Sequence, residues 1–302
     1  MSQRIRGILS PVVTPFNADL SPDPKRFVEH CKWLISQNAG LAIFGTNSEA
    51  NSLSVNERKF LLESLLLANV DPAKMMPGTG CCSVTDTVEL TRHAVAAGCA
   101  GVLMLPPFFY KNVPEDGLFR FYSEVVQRVA SKDLRIYLYH IPTVSQTPIT
   151  AGLIERLLKE YPDTIAGIKD SSGEWSNTEM LLKNFQPAGF DVFCGSDPFL
   201  LQTMRAGGAG CITATGNVNP AMIYDLYLNW QSADADARQT RVTQIRRTFE
   251  MIPLIASMKS VIGWKRKDPQ WAEVRPPLVK APKDKFEQLC AKLDEIGYQM
   301  PL

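Results

Sequence analysis

Lys169 ends an apolar run, Ile165-Ala166-Gly167-Ile168-Lys169-Asp170-Ser171-Ser172-Gly173-Glu174, that dissolves into a small polar turn. Period-two alternation puts Ile165, Gly167 and Lys169 on one face of a strand, and Ala166 and Ile168 on the other. With helices covering the apolar face, Lys169 points the opposite way, at the carboxy-terminal end of its strand. A cation there is costly to desolvate, and the neutral amine is the form that attacks a ketone. The alternative is a structural lysine paired with Asp170 or a neighbouring carboxylate. Alternation argues against Asp170, because consecutive strand residues face opposite sides. Gly167 leaves room below the lysine for a ligand or for a large opposing side chain.

One strand earlier, Ile136-Tyr137-Leu138-Tyr139-His140-Ile141-Pro142 reads the same way. Tyr137 and Tyr139 share a face, and adjacent parallel strands place Tyr139 beside Lys169. A phenol there can carry protons. A core tyrosine is the commoner role for a lone Tyr; the pairing with Lys169 favours chemistry. After the second apolar run comes Phe44-Gly45-Thr46-Asn47-Ser48-Glu49-Ala50-Asn51-Ser52. Its successive N–H groups and short polar side chains suit a carboxylate-sized anion pocket, although such clusters also serve as caps and turns. Gly207-Gly208-Ala209-Gly210 reads mostly as turn chemistry, with close approach to a ligand as the other reading.

The elements that carry these residues repeat: a short apolar run, a polar turn, then a helical pattern. Runs at 8–13, 41–44, 75–76, 102–105, 136–139, 165–168, 192–194 and 211–212 give eight strands. Ser54, Thr85 or Asp86, and Ser176 or Asn177 are the expected caps of the helices that follow three of them. Strands alternating with helices mean parallel pairing through crossovers, and eight units of about 28 residues match a TIM barrel. A doubly wound sheet usually shows GxGxxG after its first strand; here that strand runs into Ser10-Pro11-Val12-Val13-Thr14-Pro15-Phe16. The expectation is therefore an α/β fold, a (β/α)8 TIM barrel over residues 1–219 with a C-terminal helical appendage over 220–302. Helices are expected there at 221–230, 234–262 and 284–296.

Composition narrows the function classes. At 302 residues, 45% hydrophobic and 21% charged, the chain has the make-up of a globular protein rather than a disordered or fibrous one. Lys plus Arg total 32 against 31 Asp plus Glu, so no net field attracts nucleic acid or anionic lipid. The charged start Met1-Ser2-Gln3-Arg4-Ile5-Arg6 is followed by an apolar stretch that prolines interrupt, too short for a signal sequence. No apolar run reaches the roughly 18 residues of a membrane span. Seven cysteines without a CxxC pair read as free, buried thiols of a reducing compartment, the cytoplasm. His30, His93 and His140 pair with no other ligand at metal spacing.

Taken in order, these segments resemble the dihydrodipicolinate synthase / N-acetylneuraminate lyase family of pyruvate-dependent class I aldolases. The resemblance runs through Thr14-Pro15-Phe16, Gly45-Thr46 to Glu49, Leu53-Ser54, Glu57-Arg58 and Leu105-Pro106-Pro107-Phe108-Phe109-Tyr110. It continues through Tyr139 and Pro142, Gly167-Ile168-Lys169-Asp170-Ser171, Gly195-Ser196-Asp197, Gly207-Gly208 and Arg275-Pro276-Pro277-Leu278. It implies a barrel enzyme, usually a homotetramer, needing no metal or organic cofactor, with pyruvate and an aldehyde as substrates. Lys169 would form an iminium with pyruvate, Tyr139 would shuttle protons with Thr46 in the relay, and Thr46 and Asn47 would hold the carboxylate. Tyr110, or Phe109 if a one-residue gap shifts the match, would complete the relay across a subunit interface. Ser171, Gly195, Asp197 and Ile212 are the implied substrate-binding residues.

Departures bear on the second substrate. Val144 stands where dihydrodipicolinate synthases carry an aldehyde-binding arginine, which disfavours the lysine-biosynthesis reaction, 4-hydroxy-tetrahydrodipicolinate synthesis. Asn47 replaces a hydroxyl residue, Ser48 a glycine, and His140 an asparagine; Asp197 matches a sugar-contacting position, whereas Ala214 replaces a serine of the sialic-acid lyases. The leading expectation is an aldolase or lyase joining or splitting pyruvate and an aldehyde. A 2-keto-3-deoxy sugar-acid dehydratase and a keto-acid-binding barrel without turnover are the alternatives.

Overall fold

The computed structural model describes residues 4–302, so the first three residues of the charged start lie outside the described residues. The chain forms two compact units, one of Ile8–Val70 with Thr213–Leu302, the other of Asp71–Ile212 with the segment ending at Gly7.

In the first unit, β1 (Gly7–Ser10) pairs in parallel with β2 (Gly40–Leu41), Leu9 lying opposite Gly40 and Ser10 opposite Leu41. Both strands stop earlier than the apolar runs suggest. Pro11 has no N–H to give a ladder, and Phe44 turns the chain with φ 61°. Past Pro11 the backbone is held by Asn217, whose Nδ2 donates to the Pro11 carbonyl at 3.1 Å and whose Oδ1 accepts the Val13 amide at 2.9 Å.

Helix Pro24–Ser36 starts from Asp23, whose carboxylate accepts the Arg26 amide at 3.0 Å. Helix Val55–Leu67 starts from Ser54, as its sequence suggests. Ser54 Oγ accepts the Glu57 amide at 3.2 Å and Glu57 accepts the Ser54 amide at 2.8 Å, a reciprocal capping box.

Toward the carboxy terminus lie helices Pro220–Leu228, Ala235–Phe249, Leu254–Arg266 and Lys283–Glu295. The single helix expected over 234–262 is two, because Pro253 cannot donate to the ladder and its ring clashes with the preceding turn. Their apolar faces meet Val13, Val218 and Trp271 in one core that includes Phe249, Val261, Leu289 and Tyr298. Each fully buried side chain of this size contributes about 1.5–3 kcal/mol. The Tyr298 hydroxyl avoids a desolvation penalty by donating to the Val218 carbonyl at 2.6 Å.

The second unit is the repeating strand–helix part. Strands β3 (Val102–Met104), β4 (Ile136–His140), β5 (Ile165–Asp170), β6 (Asp191–Cys194) and β7 (Gly210–Ile212) pair in that order, all parallel. Helices Glu115–Val129, Ala151–Glu160, Trp175–Phe185 and Leu200–Arg205 cross between them, and Val84–Ala96 precedes β3. Leu138, Ile168 and Val192 pack with the helix residues Leu153, Leu157, Leu181 and Phe185.

The strand expected at Met75-Met76 does not form. The segment touches β3 through one bridge, Gly78 to Leu103, with the Leu103 amide on the Pro77 carbonyl and the Thr79 amide on the Leu103 carbonyl. Pro77 has no amide to extend that ladder, so the described residues hold seven strands rather than eight. Two caps also move. Ser83, not Thr85 or Asp86, caps helix Val84–Ala96 by accepting the Asp86 amide, and the helix expected from Ser176 or Asn177 already begins at Trp175 without a side-chain cap.

Candidate active site

Register delivers the pair that alternation suggests: Tyr139 lies opposite Lys169, and Lys169 opposite Phe193. Because Leu138, Ile168 and Val192 turn to the helices, these three residues face the other side of the sheet. Lys169 is only 2% exposed. Its Nζ sits 4.2 Å from the centroid of the Tyr139 ring, a cation–π contact worth about 2 kcal/mol when desolvated. Among the described residues Lys169 has no ion-pair partner.

Asp170 does not supply one. Its carboxylate accepts Thr178 Oγ1 at 2.6 Å, the Ser172 amide at 3.0 Å and Ser172 Oγ at 3.1 Å. His140, opposite Asp170, accepts the Ile149 amide on Nδ1 at 3.0 Å, and burial lowers its pKa against the pull of Asp170.

The space below the lysine is filled by protein. A Cβ on Gly167 would lie 2.3 Å from the Asp191 carbonyl oxygen and 2.9 Å from the Tyr137 ring, so Tyr137 is the large side chain the glycine admits. Tyr137 packs edge-on against Phe193, centroids 5.8 Å apart. Burial pushes its phenol pKa up, and its hydroxyl has no hydrogen-bond partner among the described residues.

Above the pair, the Ser171 amide donates to the His140 carbonyl and the Gly195 amide to the Asp170 carbonyl, each at 2.7 Å. A Cβ on Gly195 would come within 2.0 Å of Ser171 Oγ. Ser171 and Gly195 therefore meet at the strand ends. Asp197 is buried in the turn after β6, and Ile212 is the buried last residue of β7. The glycine run before β7 serves the chain itself: a Cβ on Gly208 would strike Thr203, and one on Gly210 the Gly7 carbonyl.

Tyr110 does not join the buried pair. It lies in the loop after β3, 73% exposed, edge-on to the exposed Phe109 at 5.4 Å. Lys111 ties this loop to the turn Pro142–Ser145 by donating to the Phe108 and Ser145 carbonyls. Val144 is 60% exposed on that turn.

In the other unit, Thr46 and Asn47 are half-buried on the short turn Thr46–Ser48, within an otherwise buried stretch. The amides of Ser48, Glu49 and Ala50 are consumed by the Gly45 and Thr46 carbonyls. Successive free N–H groups are thus fewer than the sequence suggests. Sequence reasoning missed the partner of Glu49: its Oε1 accepts Lys259 Nζ at 2.6 Å, with both side chains fully buried. The two are 210 residues apart, and no local pattern signals the pair.

All seven cysteines are free, with Cys31, Cys194 and Cys211 buried and Cys82, against expectation, exposed. Among the described residues no group of three His, Cys, Asp or Glu side chains is placed to hold a metal ion. Among the described residues no helix is long and apolar enough to cross a membrane either.

The chain is similar to known proteins over nearly its whole length. Residues 4–296 match the model of the dihydrodipicolinate synthetase family. An uncharacterized DapA-like lyase of Chloroflexus aurantiacus is 31% identical over 296 residues, 96% of this chain and 97% of that protein. Among solved structures, dihydrodipicolinate synthase from Agrobacterium tumefaciens superposes with TM-score 0.89 at 28% identity, covering 97% of this chain and 99% of that one. YagE, a prophage protein of E. coli K12 solved in complex with pyruvate, superposes with TM-score 0.88 at 26% identity, covering 98% and 99%. The chain belongs to the dihydrodipicolinate synthetase family.

Proposed function

We propose that the protein is a Schiff-base aldolase or lyase that uses pyruvate, or a related 2-keto acid, and an aldehyde. The observation that carries this reading is Lys169: a buried amine at a strand end, over the Tyr139 ring, without a carboxylate to neutralise it. Family membership and the pyruvate complex of YagE support it. The barrel of residues 1–219 would close with the 75–79 segment in its third strand position, and residues 220–302 would form the helical appendage.

The neutral Lys169 amine adds to the keto carbon to give a carbinolamine, which loses water to give an iminium. The iminium draws electrons from the neighbouring carbon, a proton leaves the methyl group, and the resulting enamine attacks the aldehyde carbon. Hydrolysis of the product iminium returns the free lysine; the cleavage direction reverses these steps. Tyr139 carries the protons with Thr46 in the relay, and Thr46 and Asn47 hold the keto acid's carboxylate. Ser171, Gly195, Asp197 and Ile212 complete the substrate site. Tyr110, exposed in the single chain, would enter the relay of a partner copy in a homodimer or homotetramer.

Val144 puts an exposed apolar side chain where an arginine would hold an aldehyde's carboxylate. The second substrate is therefore read as a sugar-acid or aromatic aldehyde rather than the aldehyde of lysine biosynthesis. A panel of keto acids and aldehydes tests this, comparing wild type with Lys169→Ala. Turnover of pyruvate with a sugar-acid or aromatic aldehyde, abolished in the variant, is the expected result. Equal activity of the variant would end the reading.

A further inference from the structure

The turn bearing Thr46 and Asn47 is built in an uncommon way. Phe44 and Glu49, the residues that flank it closely, both lie in the left-handed region, with φ 61° and 55°. That conformation is unfavourable for bulky side chains and persists where surrounding structure enforces it. Clamps follow along the chain. The Ser48 carbonyl accepts Thr14 Oγ1 at 2.6 Å, the Ala50 carbonyl accepts Arg58, and the Ser52 carbonyl accepts Arg275 Nη1 at 2.6 Å.

Glu49 is the centre of this arrangement. Its Oε1 accepts Lys259 Nζ at 2.6 Å and its Oε2 accepts the Arg275 backbone amide at 2.9 Å. Lys259 Nζ and Arg275 Cζ lie 4.5 Å and 4.8 Å from the centroid of the Phe16 ring. A fully buried ion pair is a poor device for stability alone, because desolvation offsets most of the attraction. What it gives is a fixed position.

We infer that Lys259 is a positioning residue: through Glu49 it holds the Thr46–Asn47 turn in the shape that binds the substrate carboxylate. This rests on the assignment of that turn to the keto acid in the proposed function. The groups facing Lys259 are Glu49, Glu273 and Arg275; burial outweighs the two carboxylates and lowers its pKa to about 8. As pH rises through that value the lysine loses its proton and the Glu49 carboxylate loses its cationic partner. Pyruvate should then bind less tightly, with the amine chemistry at Lys169 kept.

The test compares wild type, Glu49→Gln, Lys259→Met and the double variant, reading kcat, the KM for pyruvate, and the borohydride-trapped pyruvate adduct. Single variants strand one buried charge and some will fold poorly; the double variant strands none. It is expected to fold, to keep kcat within about threefold, and to raise the KM for pyruvate by about tenfold, the equivalent of one strong hydrogen-bonded contact. In wild type that KM should climb above about pH 8, and in the double variant this limb should vanish. A double variant that folds with pyruvate KM within twofold of wild type and the same alkaline limb overturns the inference while leaving the aldolase reading intact. Failure of wild type itself to trap pyruvate overturns both.

Discussion

Tyr139→Phe separates the two jobs assigned to that side chain. The substitution removes the hydroxyl and leaves the ring, whose centroid is 4.2 Å from Lys169 Nζ. Phenylalanine also attracts a cation, so most of the roughly 2 kcal/mol of ring–amine attraction survives and the lysine stays in place. The proton carrier is lost, which for a positioned general acid–base costs about 10²- to 10⁴-fold, or roughly 3–5 kcal/mol at the transition state. Tyr139→Leu removes the ring as well and should cost about tenfold more, now including slower iminium formation. Tyr137→Phe is the control. Tyr137 lies on the same strand two residues before Tyr139, and its buried hydroxyl has no partner among the described residues, so its removal should leave kcat within about threefold and stability unchanged or improved. Steady-state kcat and rapid-mixing borohydride trapping on the four proteins separate turnover from adduct formation. A Tyr139→Phe enzyme within threefold of wild type, or a Tyr137→Phe enzyme as damaged as Tyr139→Phe, would rule out the Tyr139 hydroxyl as the proton carrier.

Gly195→Ala would place a Cβ 2.0 Å from Ser171 Oγ and 2.7 Å from the Asp170 carbonyl oxygen. It should cost about 1–3 kcal/mol in urea unfolding and lower kcat/KM, because the strand ends must part. Arg275 donates to Glu57 at 2.5 and 2.9 Å and is the main cause that lowers the Glu57 pKa to about 2. This depressed carboxylate stabilises the fold fully above the usual pKa of about 4.3, and the contribution fades as pH falls toward 2. With Glu57 28% exposed, solvent screening leaves about 1–2 kcal/mol. Glu57→Gln should show that loss in urea unfolding at pH 7 and less than half of it at pH 3. Asp170→Asn weakens the contacts to Thr178 and Ser172. It should lower Tm while kcat of the folded enzyme stays within about fivefold, since the carboxylate faces away from Lys169.

The Lys169–Tyr139 pair was legible in part because a strand's side-chain period is two and both residues stand near the ends of adjacent parallel strands; the register shift between Ile136 and Tyr137 that sets them opposite each other leaves no mark in either run. The Ser54 cap was legible for the same local reason: Ser54 and Glu57 stand at capping-box spacing. The third strand was misread because an apolar pair followed by a proline looks like a strand end, whereas strand pairing needs amides that Pro77 lacks. The break at Pro253 could have been read from the same rule. Glu49 and Lys259 were out of reach: a contact spanning 210 residues leaves no periodic trace in either segment. Gly167 stood between two readings, and only the position of Tyr137 decided it.

The whole mechanism requires that the Lys169 amine become covalently bound to substrate. Incubating the protein with carbon-13-labelled pyruvate, reducing with borohydride and sequencing the digest by mass spectrometry tests it directly. One reduced pyruvate adduct per chain, confined to Lys169 and absent without borohydride, is the expected product. A full-length, folded protein that turns over substrate while Lys169 stays unmodified, or an adduct on another lysine, would contradict it.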